Sequence, residues 1–214
     1  MPFVDKAIFD FSWETYQRAI LGEFSASQRA TIPTVVAVSP QKNYSEVVKY
    51  WNNIEGLPEE EALIDVLRIL EPRIERVVLK TSPYSVSVRR SGNNFLEPIT
   101  YFGEGLAQLF ALSLSLIQVK HGIVLIDEIE SGLHYSIFPK LWEFLFRQCK
   151  EQGTTLFATS HSYDVADSFA RRALYQKEIL GVLTRLDVIG GRIQAVQYTE
   201  EEAYLAALDR LEVR

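Results

Sequence analysis

The chain has 214 residues, 47% hydrophobic and 23% charged, with a formal net charge of −6, a balance suited to one substantial core and ill suited to a basic nucleic-acid footprint. No segment approaches the roughly 20 apolar residues of a spanning helix, and Asp5, Asp10 and Glu14 interrupt the amino end, so neither a signal peptide nor a membrane span is expected there. The adjacent pairs Arg89-Arg90 and Arg171-Arg172 read as solvated faces, so nucleic acid as a partner has no compositional support.

Residues 1–33 read as a lead-in, with a strand or irregular segment over Phe3 to Phe11 and a short helix over Trp13 to Leu21. Thr34 to Val38 (TVVAV) predicts a buried strand closed by Ser39-Pro40. Helices follow over Ser45 to Ile54 and Pro58 to Leu70, the second opening on Pro-Glu-Glu-Glu and stopped by Pro72. Arg76 to Lys80, Ser85 to Arg89 and Leu96 to Thr100 predict a small antiparallel meander. Leu106 to Val119 is apolar nearly throughout and predicts a helix buried on most of its surface.

Ile123 to Ile126 (IVLI) predicts a central parallel strand that delivers Asp127 and Glu128 to the carboxyl edge of a sheet. Phe138 to Gln152 predicts an amphipathic helix, Thr154 to Ala158 a second buried strand, and Tyr163 to Ala173 a helix with Ser162 as candidate N-cap. Within the first of these helices lies the single cysteine, Cys149, a packing residue consistent with a reducing cytoplasm. Gly181 to Asp187 and Arg192 to Tyr198 predict a hairpin about Gly190-Gly191, and Thr199-Glu-Glu-Glu opens a closing helix. Strands alternating with helices imply parallel βαβ units in an α/β fold, organised as a single domain over 1–214.

Three features flank the acids in an order that suggests chemistry. Phe102 to Gln108 (FGEGLAQ) sets Gly103, Glu104 and Gly105 ahead of the buried helix, where free amides and the helix dipole favour an anion. Downstream, Ser131, Gly132 and His134 belong to a polar turn directly after the acids, and His161 follows the next buried strand in TTLFATSHS, at the same sheet edge as Glu128. In a nucleotide-hydrolysing layout the first acid holds Mg²⁺ and the second orients the attacking water. Each feature alone has a plain structural reading; the set in this order is the informative observation.

The strings LIDEIESGLHYS and FATSHS resemble the ATP-binding-cassette class of ATPases, in the branch shared by structural-maintenance-of-chromosomes heads, RecF-like proteins and the overcoming-lysogenization-defect family, most of all the stand-alone ATPases of the last. The likeness covers about Thr34 onward and implies a partial P-loop nucleoside triphosphatase fold, with mostly parallel core strands flanked by helices plus small antiparallel elements. It implies that FGEGLAQ takes the signature position, with Gly103 where the usual motif has serine, so that phosphate contact falls to backbone N–H groups. Further, it implies Asp127 and Glu128 as the Walker B pair, with Asp127 on the metal and Glu128 catalytic, Ser131 to His134 as the D-loop, and His161 as the switch histidine on the γ-phosphate. ATP and Mg²⁺ are the implied ligands, sandwiched between two heads.

A P-loop requires GxxxxGK followed by Ser or Thr, and none of the 11 glycines precedes a lysine. The expectation is therefore the carboxyl-terminal half of a head, in which Met1, the sole methionine, starts a late-starting gene, a split gene or a fragment. Exposed sheet surface, self-association or a partner chain carrying the P-loop, and weak ATP affinity in isolation follow from that expectation. Two alternatives stay open: a non-catalytic remnant serving as an interaction module, and the ATPase component of a nuclease-linked defence system.

Overall fold

The computed structural model describes residues 35–38, 44–81, 84–175 and 181–208. These lie in the compact unit Thr34–Arg214; the strand and helix expected within residues 1–33 fall outside the described residues. In chain order the elements are β1 (Val35–Val38), α1 (Tyr44–Asn52), α2 (Pro58–Leu67), β2 (Ile74–Thr81), β3 (Tyr84–Arg90), β4 (Glu97–Pro98), a 3₁₀ turn (Ile99–Phe102), α3 (Glu104–Gln118) and β5 (Ile123–Ile126). A second 3₁₀ turn (Tyr135–Ile137), α4 (Phe138–Gln152), β6 (Thr155–Ala158), α5 (Tyr163–Ala173), β7 (Leu183–Ile189), β8 (Arg192–Tyr198) and α6 (Glu200–Leu208) complete the order.

The sheet that positions the acids is parallel, in the order β1-β5-β6. Its central strand is β5, as the aliphatic run IVLI predicts for a strand flanked on both edges. On one face Val36, Val124 and Leu156 are in register and pack into the main core. On the other face Ala37, Leu125 and Phe157 share a register, and Leu125 and Phe157 are 39% and 58% exposed. An apolar, exposed face on a parallel sheet is uncommon, because βαβ crossovers normally cover both sides.

Helix α3 is the core's axis. Leu106, Leu109, Leu112, Leu114, Leu116 and Ile117 are all buried, as the near-continuous apolar run requires. It packs against α1, α2, α4 and β1. Trp142 on α4 donates its indole N–H to the carbonyl of Val165 at 3.2 Å and meets the Phe169 ring edge-on at 5.0 Å, which fixes α5 against α4. Gly153 ends α4 in the left-handed conformation, and the chain passes directly into β6.

The remaining strands form satellites. β2, β3 and β4 make the expected antiparallel meander, but the third strand is only two residues long because the chain tightens into the 3₁₀ turn that leads to α3. Hairpin β7-β8 turns at Gly190-Gly191, both at positive φ. α6 opens with a reciprocal capping box: the Glu202 amide donates to Thr199 Oγ1 at 3.2 Å while the Thr199 amide donates to Glu202 Oε2 at 2.9 Å. Ser162 sits at the N-cap of α5 but its hydroxyl caps nothing; its own amide donates instead to Ser160 Oγ at 3.0 Å.

Candidate functional site

β5 ends at Ile126, so Asp127 and Glu128 leave the sheet at its carboxyl edge, both exposed. Glu128 has φ +49, a left-handed conformation that a residue bearing a Cβ seldom adopts. Such strain persists only where the surroundings enforce it, and here they do. The Thr159 hydroxyl donates to Asp127 Oδ1 at 2.5 Å and accepts the Glu128 amide at 3.0 Å. The Thr159 carbonyl accepts the Ile129 amide at 3.1 Å, and its amide donates to the Ile126 carbonyl at 2.9 Å. One threonine just beyond β6 thus clamps the whole acidic tip. Sequence reading included it within FATSHS but gave it no role; the signal that could have found it is its place at the end of the strand adjoining β5.

The clamp consumes one oxygen of Asp127 and leaves the carboxylate of Glu128 without a hydrogen bond or ion pair to another described residue. His161 is in a like state: it is exposed, its amide donates to Glu130 Oε1 at 2.7 Å, and its imidazole has no partner among the described residues. A carboxylate and an imidazole without partners among the described residues, carried on loops zipped together at one sheet edge, are placed to meet a ligand.

The expected anion site divides into two parts. α3 begins at Glu104, two residues earlier than the apolar run suggested, so Gly103 is its N-cap and Gly105 lies inside its first turn. Gly103 has φ +89 and open space where a Cβ would stand. Its amide already donates to the Thr100 carbonyl at 3.2 Å, so the free donors are the first-turn amides that start at Glu104. Gly105 serves packing: an added Cβ would stand 2.3 Å from the Gly132 carbonyl oxygen. This contact seats the turn after the acids on the first turn of α3, joining two segments that sequence alone left about 25 residues apart.

Within that turn the Ser131 amide donates to the Glu128 carbonyl and the Leu133 amide to the Glu130 carbonyl, both at 2.9 Å. Gly132 supplies a positive φ of 70. His134 caps the following 3₁₀ turn, with Nδ1 2.9 Å from Ser136 Oγ and its ring 4.3 Å from that of Tyr135. The third histidine, His121, precedes β5 at the opposite end of the strand from the acids.

Over residues 9–167 the chain matches the family described as "AAA domain, putative AbiEii toxin, Type IV TA system". The chain belongs to this AAA-domain family. Among solved structures, the AAA-domain chain is similar to one from work on ATP-driven dimerization and DNA-stimulated activation of SMC ATPases, with a TM-score of 0.51 and 13% identity. That alignment covers 78% of this chain and 98% of the other. It is also similar to an Smc head bound to the C-winged helix domain of ScpA, with a TM-score of 0.53 and 14% identity over 77% of this chain and 52% of the other. No curated protein matches. At these identities the likeness is one of fold, and it agrees with the α/β, SMC-head-like architecture implied by the sequence motifs. No helix among the described residues is long and apolar enough to cross a membrane.

Proposed function

We propose that this AAA-domain chain binds ATP and supports its hydrolysis as one half of an ABC-type site, with the phosphate-cradling P-loop supplied by another segment or a partner chain. The observation that carries the reading is the Thr159 clamp, which fixes Asp127 and Glu128 at the carboxyl edge of β5 while the side chains of Glu128 and His161 have no partner among the described residues. In this reading Asp127 is the metal ligand, Glu128 orients and deprotonates water, and His161 contacts the terminal phosphate. The first turn of α3, from Gly103 through Gly105, faces the phosphate of an opposing head, and Ser131, Gly132 and His134 line the junction.

The donor set suits Mg²⁺, which takes one or two carboxylates and completes its shell with water and phosphate oxygens. Asp127 provides one such carboxylate, held in orientation by Thr159. Among the described residues no group of three or more His, Cys, Asp or Glu side chains stands ready to hold a metal. When bound, the ion would offset negative charge on the phosphates. Glu128, a carboxylate with no partner among the described residues, can accept a proton from water; His161, with no acceptor for its ring among them, can donate to an anionic oxygen.

The exposed face formed by Ala37, Leu125 and Phe157 supports the need for a completing chain, since a parallel sheet buries both faces when complete. A partner bearing GxxxxGK[ST] covers that face and supplies the lysine, and pairing of heads makes the assembly a dimer or a higher even-numbered state. Complementation tests this reading: mixing the chain with a GxxxxGK[ST]-bearing polypeptide from the same source should produce Mg²⁺-dependent phosphate release that neither shows alone. A complex of the two that releases no phosphate would favour the non-catalytic interaction module. The nuclease-linked alternative places any nuclease in a partner.

A further inference from the structure

The structure assigns a positioning role to Glu130, resting on the reading of His161 as a phosphate contact. Glu130 follows the strained Glu128 by two residues and is half-buried. Its Oε1 accepts the backbone amide of His161 at 2.7 Å, a charge-assisted bond across 31 residues of sequence. Its other oxygen, Oε2, is buried and has no hydrogen-bond partner among the described residues. Partial desolvation of a carboxylate with one oxygen unsatisfied is costly, so an acid here is unfavourable for packing alone. What it does in the fold is hold His161.

The loop 159–162 between β6 and α5 shows why that hold matters. Thr159 is tied to Ile126 and Asp127 at the start of the loop, and α5 is tied to α4 through Val165 and Trp142 beyond its end. Between these anchors His161 is fastened to the acidic loop by the Glu130 bond. A bond at the amide of His161 restricts the backbone torsions that aim its imidazole. Glu130 also stands at the head of the turn whose Gly132 rests on Gly105. A continuous series of contacts therefore runs from the first turn of α3 through Gly132 and Glu130 to His161. Glu130 sets the switch histidine by where that turn sits, acting through the His161 backbone and not on the ligand itself.

Amide hydrogen exchange on the full chain tests the assignment without any need for turnover. Removing the carboxylate in Glu130→Ala should speed exchange at His161 by roughly 10- to 100-fold, the loss of a bond to a charged acceptor. Glu130→Gln keeps an acceptor oxygen and should hold His161 exchange within about threefold of the starting chain. Val124 and Ile126, in the central strand, should exchange alike in all three, showing that the fold is intact. Unchanged exchange at His161 in Glu130→Ala would overturn the assignment, as would a Gln variant that behaves like the Ala variant. In the completed assembly, Glu130→Ala should lower kcat by about tenfold with KM unchanged, and Gln should restore it. Absence of turnover in the unsubstituted assembly would refute the ATPase reading, while the exchange result would still decide the role of Glu130.

Discussion

Thr159→Val removes a hydroxyl with little change of shape and so isolates the clamp on the acidic tip. Two hydrogen bonds are lost: the donation to Asp127 Oδ1 at 2.5 Å and the acceptance from the Glu128 amide at 3.0 Å. In a buried setting a bond to a charged group contributes about 1.5–3 kcal/mol and a neutral one about 1 kcal/mol. Thr159, Asp127 and Glu128 are all exposed, so water replaces much of what is lost, and the net cost should be about 1–2 kcal/mol. For a chain of this length that lowers the melting temperature by about 2–8 °C. The left-handed Glu128, no longer held by its amide, should relax, and exchange at that amide should rise. Calorimetry and amide exchange on Thr159→Val read both effects, with Thr159→Ser, which keeps the hydroxyl, staying near the original values. A Val variant with an unchanged melting temperature and unchanged Glu128 exchange would refute the clamp.

Gly105→Ala should destabilise the fold by about 1–3 kcal/mol in urea titration, because its Cβ would meet the Gly132 backbone carbonyl at 2.3 Å, an atom with little room to retreat. Glu128→Gly should do the opposite, raising stability by about 0.5–1 kcal/mol through relief of the positive φ while abolishing turnover; a loss of stability would show that the tip is not strained. Glu71 and Glu97 are held below the ordinary carboxylate range, Glu71 chiefly by its hydrogen bond from Arg73 and Glu97 chiefly by that from Arg90. Their folded values lie below the unfolded ones, so this stabilisation is present above about pH 4.5 and is lost as pH falls through the folded values. Arg90→Gln should flatten the acid limb of the stability-pH curve. Burial pushes the Cys149 thiol up to about 11, so at neutral pH it should react slowly with iodoacetamide in the native chain and readily in denaturant.

The sheet and its principal helices were legible because each rests on a local pattern. IVLI before Asp127-Glu128 reads as a strand with a polar end, although only the face of Val124 and Ile126 is buried and Leu125 is exposed, and the apolar run of α3 has the length of a buried helix. Lengths at the margins were less legible. β4 is short because the 3₁₀ turn competes for Ile99 and Thr100, and α3 starts early because Gly103 caps it at a φ that composition does not reveal. What the sequence could not convey were contacts across the fold. The bonds of Thr159 to Asp127 and of Glu130 to His161 join loops about 30 residues apart, and they depend on β6 lying beside β5. The packing of Gly105 on Gly132 likewise depends on how α3 meets the turn after the acids. Glycines flanking a helix start signal freedom, and only the fold decides whether that freedom serves a ligand, as open space above Gly103 would allow, or a neighbouring backbone.

Single-turnover phosphate release with Glu128→Gln in the completed assembly tests the central claim most directly. The substitution keeps the size and hydrogen-bonding reach of the side chain but removes its ability to take a proton, so phosphate release should fall by about 100-fold or more while ATP remains bound. Release at the original rate would contradict the account.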